Sequence, residues 1–232
     1  MSHPSAGRSE ELPLFPLGTV LVPGMRLSLH VFEPRYRQLV ADLLGGEGAR
    51  APEFGVVALR QGWEVGELKD VYGVGTTARV TDVLPHTDGQ CDLSAVGDRR
   101  FVIESLDTGS HPYLVATVRR LPETDGALKP GAVAAVRRAL EAHLQALDEL
   151  DIEFTEQRSE LSTPVDAQEL SYAVANLVSL PLSDRQTLLA TPDTATRLSC
   201  ARSVLRRETE LLRTLQAVPA TAATFRTDFG SS

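Results

Sequence analysis

The stretch Leu12–Tyr36, LPLFPLGTVLVPGMRLSLHVFEPRY, decides how the rest of the chain is read. Within it Leu27, Leu29 and Val31 alternate with Ser28 and His30, the period of a strand with one buried face. Pro23-Gly24 supplies the turn before that strand. Glu33-Pro34 then switches the chain into a helix, because proline's fixed φ suits a first helical position, where its missing N–H would have no partner. Glu33 and Arg35 are placed to pair locally across this junction. Upstream, Leu12–Phe15 and Thr19–Val22 are short strand candidates, and the prolines among them suggest edges or bends.

Downstream of the junction, Tyr36, Leu39, Val40, Leu43 and Leu44 line one face of a helix that Gly45-Gly46 ends. Phe54–Leu59 (FGVVAL) is an apolar run that reads as a central strand. Gly73-Val74-Gly75 is too short for a dinucleotide fingerprint and reads as a bend or bulge opening the Thr- and Val-rich strand Val74–Leu84. Asp88-Gly89 signals a hairpin into Cys91–Val96, Gly97-Asp98 turns the chain into Arg100–Leu106, and Tyr113–Val118 adds a strand. Residues 12–121 therefore predict a curled antiparallel sheet with one inserted helix, preceded by polar, disordered residues 1–11.

After Leu121 the period changes to that of helices. Val133, Val136, Leu140, Leu144 and Leu147 form the stripe of a helix starting near Pro130. Thr163-Pro164 resembles a cap and a first-position proline for a helix burying Leu170, Val174, Leu177 and Val178. Ser183–Gln186 (SDRQ) is a capping-box pattern for a short helix, and Asp193 caps a last long one containing Leu198, Ala201, Leu205, Leu212 and Leu215. The expected organisation is a helical lobe over residues 122–217 and a mobile tail over residues 218–232.

Composition removes several functions. The chain has 31 acidic and 23 basic residues, a formal charge of −8 that opposes the counterion release behind general nucleic-acid affinity. Arg99-Arg100 and Arg119-Arg120 read as surface charges pairing with acids such as Asp82, Asp88, Asp92 and Asp98. No run approaches membrane-spanning length, and the first residues lack the apolar core of a secretory signal, so a cytoplasmic protein is expected. Cys91 and Cys200 read as two reduced, packed thiols.

His3, His30, His86, His111 and His143 show no metal-ligand spacing, and no metal site is assigned. His30 reads as an exposed or hydrogen-bonded residue and His143 as flanking a helix's apolar face. There is no G-x-S-x-G elbow, and Lys69 and Lys129 precede Asp70 and Pro130, which excludes a Walker-type phosphate loop. No catalytic or cofactor-binding residue is assigned. Trp63, the single tryptophan, lies between Gly62 and Gly66 in a polar segment. It is either a peptide-binding anchor or a ring folded back over the core.

The quoted stretch resembles the amino-terminal substrate-binding domain of the Lon protease family, in LPLFPL (Leu12–Leu17), the Pro23-Gly24 turn and F-E-P-R-Y (Phe32–Tyr36). The similarity continues through Phe54–Val57, Gly75–Val80 (GTTARV), Asp88-Gly89, Gly97–Phe101 (GDRRF), Leu180–Leu189 (LPLSDRQTLL) and the last helix. The resemblance implies an α+β fold: a curled, mainly antiparallel PUA-like β lobe with an inserted helix, followed by an all-helical lobe. It implies a stand-alone polypeptide-binding module without the ATPase and peptidase domains, acting as an adaptor or holdase. The partners so implied are unfolded or hydrophobic polypeptide segments, seated in an apolar groove on the sheet lobe or between the lobes, and a protease or chaperone. The alternatives are an uncharacterised hydrolase with a spatial Ser/His or Ser/Lys pair, and an RNA-binding PUA-like module.

Overall fold

The computed structural model describes residues 9–45, 52–60, 70–149 and 166–217. Within them lie strands β1 (Ser9–Leu17), β2 (Arg26–Val31), β3 (Glu53–Ala58), β4 (Val74–Pro85), β5 (Cys91–Asp107) and β6 (Leu114–Arg120). The helices are α1 (Pro34–Gly45), α2 (Ala132–Asp148), α3 (Ala167–Leu177), α4 (Leu182–Ala190) and α5 (Thr194–Ala217). The fold is α+β. The sheet runs β2-β5-β4-β3-β1-β6, and β6 also pairs with β5, so five strands close into a ring with β2 beside it.

The 17 residues of β5 make that closure possible. Its first part pairs with β2 (Arg26 opposite Val96) and its last part with β6 (Asp107 opposite Val115), while β4 runs along the other edge. Gly97-Asp98 does not turn the chain, contrary to the sequence expectation. Thr76 faces Arg100 and Ala78 faces Gly97, so Asp98 and Arg99 together oppose Thr77 in a β-bulge, and the Thr77 hydroxyl accepts the Arg99 N–H at 3.1 Å. A Cβ on Gly97 would lie 2.4 Å from the Val22 carbonyl oxygen, so glycine is required here by close approach.

β1 begins at Ser9, earlier than expected, and its prolines sit where pairing changes sides. Up to Leu14 it is antiparallel to β6, and from Leu14 it is parallel to β3, so Pro13 lacks a β3 partner and Pro16 lacks a β6 partner. The β1–β3 pair is parallel because β2 and α1 carry the chain between them. Thr19–Val22 forms no strand. Its alternation instead sends Leu21 into the sheet core and Val20 and Val22 into the helical core, while the Thr76 hydroxyl donates to the Leu21 carbonyl at 2.6 Å.

The lobes meet over a buried cationic junction. Arg100 is 1% exposed, not on the surface. It donates to Glu123 at 2.6 Å, to the carbonyls of Leu189 and Thr191 at 2.9 and 2.6 Å, and to that of Pro192 at 3.1 Å. Arg197, from α5, is also buried; it lies 4.0 Å from the Tyr172 ring centre and donates to Ser171 and to the same Glu123. Burial holds the Arg197 guanidinium below its usual range, and burial raises the Tyr172 phenol.

In the helical lobe α5 packs along α2 and α3. Asp166 caps α3, accepting the Glu169 N–H at 2.8 Å, whereas Thr163-Pro164 lies outside the described residues. The expected capping box does not form. Ser183 is already inside α4, the cap position is Pro181, and Gln186 donates instead to the Val74 carbonyl at 2.9 Å, tying the lobes together. Asp193 does cap α5, accepting the Thr196 N–H at 2.8 Å. On α1, Leu44 is exposed rather than buried.

His143 is buried between α2 and α5, with Nδ1 3.2 Å from the Thr209 hydroxyl oxygen. That hydroxyl donates to the Leu205 carbonyl, so Nδ1–H donates to it. Burial lowers the imidazole's pKa, so the unfolded chain takes up the proton more readily than the folded one. The stability His143 contributes is complete above the ordinary imidazole pKa of about 6.5 and is lost as pH falls below it. Thermal melts from about pH 8 to about pH 5 should show this acid sensitivity, and His143→Leu should flatten it.

Candidate polypeptide-contact face

At the β2–α1 junction, Val31 is buried as the last inward residue of its strand, and the next side chain, Phe32, is 60% exposed. The helix that follows is pinned from below and capped by backbone. Tyr36 stacks on Phe15 with ring centres 4.0 Å apart, and the Glu33 carbonyl accepts the Tyr36 and Arg37 N–H groups, each at 3.0 Å. Glu33 and Arg35 do pair, at 2.7 Å, with the Arg35 guanidinium 4.7 Å from the Tyr36 ring centre. Every aromatic of this junction except Phe32 is therefore used by the fold.

The β4–β5 hairpin extends the same surface. Asp92 of β5 stands between His30 of β2 and Leu84 of β4, in register with both, so the three share one face. Leu84 is 59% exposed. His30 Nδ1 lies 2.7 Å from one Asp92 oxygen, His86 Nε2 lies 2.9 Å from the other, and His30 Nε2 lies 2.7 Å from Gln90 Oε1. The His30 ring centre is 6.3 Å from that of Phe32 and 5.8 Å from that of His86. The hydrogen bond to Asp92, then that to Gln90, raises the His30 pKa, and the same imidazole contacts lower the Asp92 carboxyl.

The turn is held by His86–Gln90 and Gly89–His86 backbone bonds of 2.8 and 3.1 Å and by Asp88, which accepts the Gln90 N–H. Gly89 has φ 78°, and the Arg37 guanidinium occupies the space a Cβ would need. Strand end, helix start and hairpin thus present two exposed apolar side chains, Phe32 and Leu84, on either side of an imidazole–carboxylate bridge. Such a face suits contact with an apolar segment that also carries hydrogen-bonding groups.

Two clefts lie elsewhere. One of about 670 Å³ opens between residues 127–136 and the start of α5, with Lys129, Val136, Leu198 and Arg202 in its lining. The other, about 480 Å³, lies between the lobes, where Asp98, Arg99, Arg120, Glu123 and Gln168 make it charged rather than apolar. The paired arginines are already engaged. Arg119 binds Glu104 at 3.0 Å, Arg120 binds Glu10 and Glu53, and Arg99 lies 3.8 Å from Asp98. Apart from Asp98, their partners are glutamates rather than the expected aspartates.

Of the residues singled out in the sequence, Trp63 lies outside the described residues. His111 stacks on Tyr113, and Cys91 is a buried thiol whose pKa burial raises. Sequence reasoning missed Phe32 and Leu84. Phe32 carried a usable signal, an aromatic inside the signature that is out of phase with the strand's apolar residues and lies before the helix begins.

A family profile described as the ATP-dependent protease La (LON) substrate-binding domain matches residues 11–207. The chain belongs to this family. Lon protease 1 of Herpetosiphon aurantiacus is 27% identical to this Lon-type domain over 215 residues, 90% of this chain and 26% of that protein. Lon protease 1 of Thermus thermophilus is 29% identical over 206 residues, 86% and 25% of the two chains. The Lon-type domain thus spans about a quarter of the length of the curated relatives it matches. A Lon N-terminal domain protein from Xanthomonas campestris, known by crystal structure, is similar with a TM-score of 0.59 and 28% identity, covering 82% of this chain and 95% of its own. The N-terminal domain of a Mycobacterium avium complex Lon protease, at 18% identity and a TM-score of 0.58, shares the fold.

Proposed function

We propose that this chain is a non-catalytic polypeptide-binding module that holds short apolar segments of unfolded or partner proteins, as an adaptor or holdase beside a protease or chaperone. The observation that carries the proposal is Phe32, a residue of the family signature left 60% exposed, with the equally exposed Leu84 on the other side of the imidazole–carboxylate bridge. Membership of a substrate-binding domain family supports it. Covering a Phe and a Leu contributes roughly 3–6 kcal/mol before the costs of association, short of the roughly 8 kcal/mol of a micromolar complex, so hydrogen bonds to the segment and further apolar contacts supply the rest and binding is weak. The imidazole–carboxylate bridge between them offers donors and acceptors to a segment's backbone. Trp63 remains a candidate second anchor. No helix among the described residues is long and apolar enough to cross a membrane, and we place the protein in the cytoplasm.

Fluorescence anisotropy with labelled extended peptides tests this directly. A peptide with alternating leucines and phenylalanines should bind saturably, and its serine-substituted counterpart should bind at least tenfold more weakly. Equal binding of both peptides, or tighter and steeply salt-dependent binding of a single-stranded RNA, contradicts the proposal.

A further inference from the structure

We propose that His30, His86 and Asp92 form a binding site for a single divalent transition-metal ion of the zinc type, with a fourth position open to solvent. Taking one ligand atom from each residue, the donor atoms lie within 4.8 Å of one another. Two imidazoles and one carboxylate are a borderline donor set suited to Zn²⁺ rather than to the oxygen-seeking Ca²⁺ or Mg²⁺.

The backbone fixes the arrangement. His30 and Asp92 are directly opposed on β2 and β5, and His86 is brought back by a turn whose His86 N–H donates to the Gln90 carbonyl at 2.8 Å. Tetrahedral zinc with bonds of about 2.0–2.1 Å sets neighbouring donor atoms about 3.3 Å apart. His30 Nδ1 and His86 Nε2 contact different Asp92 oxygens, at 2.7 and 2.9 Å, so an ion held on one of those oxygens needs that contact to open by about half an ångström and the other donor atoms, within 4.8 Å of one another, to close by up to about 1.5 Å. All three residues are exposed, so side-chain torsions can supply that movement without disturbing the core.

Gln90 strengthens the assignment. With Oε1 at 2.7 Å from His30 Nε2, it accepts that N–H and leaves Nδ1 to face the Asp92 carboxylate, the position where a metal bonds both. This is the outer hydrogen bond that orients metal-binding histidines. On coordination Nδ1 gives its proton to solvent and its lone pair to the ion. Three protein ligands leave the fourth position for water or for a donor on a bound molecule, between Phe32 and Leu84. The site shares its residues with the bridge of the face proposed above but needs no polypeptide ligand, so metal binding and peptide binding are measured separately.

Calorimetric titration of the full chain with Zn²⁺, paired with visible spectra of the Co²⁺-loaded protein, tests the site. The expected result is saturable binding of about one ion per chain, with the strong visible bands of four-coordinate Co²⁺. His30→Ala, His86→Ala and Asp92→Asn, each checked for an unchanged circular dichroism spectrum, should weaken binding at least tenfold. Gln90→Ala should weaken it about 10-fold. Absence of saturable Zn²⁺ binding by the unsubstituted chain, or binding by the three ligand variants as tight as that of the unsubstituted chain, overturns the proposal.

Discussion

Arg100→Met is expected to cost about 3–5 kcal/mol of folding stability, the loss typical of breaking a buried, hydrogen-bonded ion pair from one side. Methionine fills much of the volume but donates nothing. The carbonyls of Leu189 and Pro192, both within 3.1 Å of the guanidinium, then lose that donor in a buried site, and the Thr191 carbonyl is left with only its 3.2 Å bond from Arg197. Glu123 keeps Arg197 and the Tyr172 hydroxyl, which donates to it at 2.8 Å, so the carboxylate is not stranded and the damage lies mainly with the carbonyls. Arg100→Lys keeps the charge but not the planar fork and should recover only part of the loss. Urea unfolding followed by circular dichroism measures both variants. A loss below about 1 kcal/mol for Arg100→Met would show that the junction does not hold the lobes together.

Phe101→Ala is expected to cost about 3–5 kcal/mol, since the ring is fully buried and the surrounding strands cannot collapse onto the space it leaves. The ring fits because two neighbours lack side chains. A Cβ on Gly75 would lie 2.5 Å from both Phe101 Cζ and the Val56 carbonyl oxygen, and one on Gly55 would meet Phe101, Leu12 and Leu14 side chains at 2.5–2.9 Å. Gly55→Ala should therefore be partly rescued in the Phe101→Ala background. Gly75→Ala should not be, because the backbone of β3 still stands in the way. Denaturant midpoints of the four variants in each cycle test this, and full rescue of Gly75→Ala would contradict the packing described.

The strands and helices were legible wherever one period dominated. Leu27, Leu29 and Val31 alternate and become β2; Val136, Leu140 and Leu147 recur at helical spacing and are buried on α2. Reading failed where a local signal met a tertiary demand. Gly97-Asp98 has turn chemistry, yet the glycine is there to admit the Val22 carbonyl, and the bulge keeps β5 continuous. Gln186 fits a capping box but serves as a donor to the other lobe. Arg100 looked like surface charge because sequence does not record that four carbonyls and a carboxylate converge around it.

The candidate face was harder to read than the fold. Phe32, His30, Leu84, His86 and Asp92 come from two segments more than fifty residues apart, and strand register alone brings them together. The histidines showed no ligand spacing because the third dimension supplies it. Only Phe32 carried a signal, being out of phase with the strand before it and lying ahead of the helix after it.

The central claim is that the Phe32–Leu84 face holds apolar polypeptide. Titrating a reduced and alkylated, permanently unfolded protein into the unsubstituted chain and into the Phe32→Ser/Leu84→Ser double variant tests it most directly. Both side chains are exposed, so the variant should melt with the parent and bind at least tenfold more weakly, a difference of about 1.4 kcal/mol or more. An unchanged dissociation constant in a folded double variant would contradict the account.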